Sequence, residues 1–140
     1  MVAPAALEEG WRYKTFEDGR EGNVVSGTAA LEIVTVLVPY SHTFRRAVFG
    51  CTAATPAGST WTMVVMRQLV GAAAAKVASF TDIATKTAAF IEDNVSEEAI
   101  AADVVGPAIY TLLSDGDNAG DDLDDPCLAI MVTPTEQYQS

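Results

Sequence analysis

The last 54 residues of this 140-residue chain contain no lysine and no arginine. All eight basic residues, Arg12, Lys14, Arg20, Arg45, Arg46, Arg67, Lys76 and Lys86, precede them, and the net charge is −11. Nucleic acid is therefore excluded as a partner, because phosphate binding needs clustered cations. The acidic part is repelled by anionic lipid as well. Histidine is nearly absent. His42 stands alone, so no HExxH or other His-pair metal motif exists, and no GxSxG marks a nucleophile. It reads as an exposed or satisfied residue at a strand end or loop. The glycines match neither GxxxxGK[ST] nor GxGxxG, so no phosphate cradle and no cofactor are expected.

Long apolar runs are missing too. The best, Ala29 to Val38, is short and includes Glu32, well under the ~18 residues of a membrane span. The N-terminus lacks a basic n-region and soon meets Glu8 and Glu9, unlike a signal peptide. The expectation is a product made in a host cytoplasm, with no membrane partner. Two cysteines, Cys51 and Cys127, fall outside any CxxC spacing. They read as small buried apolar residues, with a disulfide between strands as the alternative.

What is present is apolar: 49% of the chain. A chain this long makes one domain that buries roughly 68–70% of its unfolded surface. Residues 1–28 read as a flexible N-terminal arm, rich in glycine and charge and without a sustained period. Trp11, Tyr13 and Phe16, together with Arg12, Lys14 and Arg20, are its candidate partner-binding residues. Three large aromatics in a polar segment suggest that something holds it.

Residues 29–140 read as one β-sandwich. Leu31 to Val38 (LEIVTVLV) is apolar on both faces, as a strand deep in a sheet is. Thr43 to Ala53 is a second strand, with Arg45 and Arg46 on opposite faces. The turn Thr55-Pro56-Ala57-Gly58 leads to a third, Trp61 to Leu69. Lys76 to Thr81 and Thr87 to Ile91 read as strands rather than a helix through Ala72–Ala75, because of their β-branched content. Ser96 to Val104 fits one or two helical turns, with Ser96 as N-cap. Ala108 to Leu113 and Cys127 to Thr133 close the set around an acidic loop, Ser114 to Pro126. Six to eight short strands at regular turn spacing give a sandwich or barrel, not a βαβ pattern.

The acidic loop holds Asp115, Asp117, Asp121 and Asp122, a candidate cation loop. The EF-hand pattern fails, since Ala119 and Pro126 occupy ligand positions. A solvated hairpin loop is the simpler reading, and no metal is expected. Trp11, Trp61, Tyr40, Tyr110 and Tyr138 offer a sugar-stacking set, although Trp61 and Tyr110 suit a core better.

The apolar strand ending in Pro39-Tyr40, the small-residue turn TPAGST before Trp61, and the closing pair AIYTLLSDGDNAGDD…CLAIMVT form one pattern over residues 29–134. It resembles the small jelly-roll proteins that decorate or cement the heads of tailed phages, and is similar to jelly rolls of phage fibres. The resemblance implies a non-catalytic virion protein on the capsid surface. Its implied partners are the major capsid protein and copies of itself, often as a trimer. The alternatives are a glycan- or receptor-binding module of a fibre or tail, a tail or neck ring subunit, and a small enzyme with a carboxylate-lined pocket around His42.

Overall fold

The computed structural model describes residues 13–26, 31–55, 63–80, 89–92, 103–114 and 121–135. These residues form twelve strand segments and, among them, no helix. In chain order they are β1 (Lys14–Gly19), β2 (Asn23–Ser26), β3 (Leu31–Val38), β4 (His42–Cys51), β5 (Ala53–Thr55) and β6 (Met63–Leu69). Then come β7 (Ala75–Phe80), β8 (Ala89–Glu92), β9 (Asp103–Val104), β10 (Ala108–Ser114), β11 (Asp121–Asp124) and β12 (Cys127–Pro134).

Six of these segments make three strands, each broken by a kink. β4 faces β12 with Cys127 opposite Gly50, and β5 faces β11 with Asp124 opposite Ala53, so the register passes the break without a slip. β1 and β2 lie along β12 and β11 on the other side, with one extra residue at their break. Asp125 holds the kink. Its backbone is left-handed (φ 50°), a conformation that aspartate tolerates better than most residues. Its carboxylate accepts from the Gly22 N–H at 2.8 Å and the Thr52 hydroxyl at 2.9 Å, tying all three runs together. These hydrogen bonds hold its carboxyl below the usual aspartate range.

Counted with the broken runs joined, and setting aside the two-residue β9, there are eight antiparallel strands. One sheet takes them in the order first, eighth, third, sixth; the other in the order second, seventh, fourth, fifth. This is the strand order of a jelly roll, two Greek keys wound into a sandwich. The fold is therefore an all-β sandwich of jelly-roll type.

Alternation fills its centre. Tyr110 and Leu112 of β10, Leu128, Ile130 and Val132 of β12, and Val36 and Val38 of β3 all point inward. Aromatic pairs join the layers. Phe44 of β4 stacks on Tyr110 of β10 (5.4 Å, 17°), and Phe49 of β4 meets Phe80 of β7 at 5.6 Å. Each such ring buries of order 2–3 kcal/mol of apolar surface.

Several sequence expectations change. Among the described residues β3 is an edge strand of its sheet, not a central one, and pairs with β10 alone. Its outer residues Glu32, Thr35 and Leu37 are exposed, so it has one wet face. Arg45 and Arg46 do not occupy opposite faces. A β-bulge places both between Phe44 and Ala47, which are both buried; the extra residue resets the alternation. Asp121–Asp124 is a strand rather than part of a loop, because β2 and β5 pair with it on either side. Of the expected helical turns, 103–104 is strand β9, and 96–102 lies outside the described residues, as does Trp61.

Candidate functional site

Two features stand out, one inside the sandwich and one outside it. The inner one begins at His42, the first residue of β4, which is fully buried. Its Nδ1 lies 2.7 Å from the Tyr40 carbonyl oxygen, which only accepts, so Nδ1 is the protonated nitrogen. Nε2 therefore accepts, and the Tyr110 hydroxyl donates to it at 2.6 Å. Tyr110 lies on the opposite sheet, so this bond joins the two layers. Arg67 faces Tyr110 in the β6–β10 register and donates to the same hydroxyl. One guanidinium nitrogen, Nη1, is buried with no hydrogen-bond partner among the described residues.

Burial lowers the pKa of His42; the Tyr40 carbonyl opposes this, and the Arg67 charge adds to the lowering. The imidazole is thus neutral near pH 7. Burial also pushes the Tyr110 hydroxyl up to about 12, with Arg67 pulling the other way. With both ring nitrogens engaged and no exposed surface, His42 as placed is a structural group. The strap of β9 lies over this end of β4, with Val104 opposite His42 and the Thr43 hydroxyl donating to Asp103 at 3.1 Å.

The outer feature is apolar. On the outward face of the β3–β10–β6 sheet, Leu37 and Ile109 sit side by side in register, 56% and 46% exposed. Val70 is 87% exposed and Val105 81%. Leu37, Leu69, Val70, Pro107 and Ile109 line a half-open cleft of about 270 Å³. Gly71 and Gly106, both with positive φ, turn the chain sharply beside these valines.

The residues expected to bind a partner are only partly brought together. Tyr13 is exposed, and Lys14 and Phe16 lie on β1, an edge strand paired to β12. Phe16 is half-buried and meets the Tyr40 ring edge-on at 5.6 Å. Arg20 is exposed, and its backbone N–H donates to the Pro126 carbonyl. The arm is thus not free over 14–26, because the chain's own last strands hold it. Trp11 and Arg12 lie outside the described residues.

Asp115 and Asp117 also lie outside the described residues, while Asp121 and Asp122 belong to β11. Among the described residues no three His, Cys, Asp or Glu side chains gather as a metal site. Cys51 and Cys127 form no disulfide among the described residues. Burial raises the Cys127 pKa, against a backbone hydrogen bond at Gly50, which makes it a poor nucleophile. Sequence reasoning missed Arg67 and the exposed valines. The local signal for the latter was an apolar residue beside each turn glycine, at Val70-Gly71 and Val105-Gly106.

The class is fixed by strand order: a single jelly-roll sandwich. No protein-family model matches the chain, and no curated protein matches it. Among solved structures it is similar to the crystal structure of FlhE, at 9% identity and a TM-score of 0.43, covering 86% of this chain and 97% of that one. It is also similar to the Eiger TNF of S. frugiperda, at 9% identity and a TM-score of 0.44, covering 92% of this chain and 98% of that one. Likeness this distant does not bear on function.

Proposed function

We propose that this chain is a structural protein of a virus particle, a decoration or cement protein that binds between major capsid subunits of a tailed phage. The observation that supports it best is the exposed apolar patch of Leu37, Val70 and Ile109 on a jelly-roll sheet. Such a surface gains free energy only when another protein covers it. The inner polar chain of His42 and Tyr110 joins the two sheets.

On this reading the molecule lives on the capsid surface and assembles with copies of itself. The basic and aromatic N-terminal residues, Trp11, Arg12, Tyr13, Lys14 and Arg20, meet the shell beside edge strand β1. Clamping neighbouring shell subunits raises the work of separating them under internal genome pressure. The test is co-sedimentation with purified tailed-phage shells assembled from major capsid protein alone. The expected result is a fixed number of copies per shell and a higher temperature of shell rupture. A chain left wholly in the supernatant at saturating concentration refutes the proposal.

A further inference from the structure

Building on that reading, we infer that two copies of this chain pair face to face through the outer surface of the β3–β10–β6 sheet. Val70, 87% exposed, lines an apolar cleft of about 270 Å³ together with Leu37, Leu69, Pro107 and Ile109. Exposed apolar side chains and an open cleft therefore share one patch. A patch of this kind can meet its own copy in an isologous contact about a two-fold axis.

Charge decides which occupant fits. Strands β3, β6, β7 and β10 hold one acid, Glu32, against Arg67 and Lys76. The strands of the other sheet hold seven acids, Glu17, Asp18, Glu92, Asp103, Asp121, Asp122 and Asp124, against Lys14, Arg45 and Arg46. A basic partner is drawn to the acidic sheet and gains nothing from the neutral one. A second copy, itself at −11, is repelled by the acidic sheet and can approach closely through the neutral one. Pairing there puts the two acidic sheets on opposite outer sides of the dimer.

The test is the solution mass of the full chain by sedimentation equilibrium, with Ile109→Glu and Val70→Glu as variants. Both positions point outward, and circular dichroism and Tm verify folding; either variant alone suffices if the other misfolds. The expected mass is two 14.7 kDa chains. Each variant should weaken pairing by at least about tenfold, the effect of ~1.4 kcal/mol. Pairing should tighten from 50 to 500 mM NaCl, since salt screens like charges. A monomer at several hundred micromolar overturns the inference, as does a mass other than two copies or a dimer that both folded variants leave intact. Shell binding is read separately. Chains that pair but ignore shells refute the capsid role alone, and chains that coat shells while remaining single refute the pairing alone.

Discussion

The Tyr110 hydroxyl donates to His42 across the sandwich and accepts from Arg67 within its own sheet. Tyr110→Phe keeps the ring stacked on Phe44 but strands a buried imidazole nitrogen and a guanidinium donor. The loss expected from urea unfolding is about 1–3 kcal/mol, the desolvation cost of groups left unmet. Replacing His42 by Leu as well should recover part of that loss, so the double-mutant cycle shows coupling of at least ~0.5 kcal/mol. Strict additivity would show that Tyr110 and His42 do not act together. His42 adds a pH signature. Its folded pKa lies below the ordinary 6.5, so below that pH the unfolded chain binds a proton that the folded chain refuses. Stability is complete above about 6.5 and falls as pH drops towards the folded value, with a slope of at most about 1.4 kcal/mol per pH unit. Denaturant midpoints at pH 7.5, 6.5 and 5.5 should show the decline in the native chain and lose it in His42→Leu. Nothing near His42 in sequence announces this, since its partner Tyr110 is 68 residues away.

Among the elements, β1 and β2 depart furthest from the sequence reading. Glycine and charge over residues 14–26 look like an arm, yet Lys14–Gly19 completes the edge of a sheet against β12. Charge is what an edge strand needs to avoid pairing with another chain, so the same residues suit both descriptions. Phe16, half-buried against Tyr40, is the residue that separates them. The truncations follow from this. Removing residues 1–12 should leave Tm within about 2 °C of the full chain, because β1 and its pairing remain. Removing residues 1–28 uncovers β12 and β11 and should lower stability by several kcal/mol, or prevent folding. Equal melting of the two truncations would return the whole segment to the status of a free arm. Elsewhere the strands were legible as short apolar runs bounded by turn residues, as in β10 and β12. Alternation fails at Arg45-Arg46, where a bulge inserts a residue and local pattern cannot show it. Strand position within a sheet was not legible either. LEIVTVLV is apolar enough for a central strand, and only the closure of the roll makes it an edge.

For the molecule as a whole, the long acidic stretch matters more than any single pair. Acids concentrate on one sheet, and with no lysine or arginine after Lys86 the last third of the chain supplies no cations to offset them. Folding brings these charges together from a more open chain, so self-repulsion works against the compact state. Salt should therefore stabilise the protein. Between 20 and 500 mM NaCl at pH 7.5, the gain expected is about 1 kcal/mol, or roughly 3–5 °C in Tm for a domain of this size. The measurement must be made dilute, so that pairing through the neutral sheet does not add to it. A control with sodium sulfate at equal ionic strength separates screening from the general strengthening of apolar burial, because sulfate adds the second effect to the first. A Tm that falls on adding NaCl would show that favourable ion pairs outweigh repulsion. The acidic sheet would then be internally neutralised, and two copies would have no electrostatic reason to avoid meeting through it.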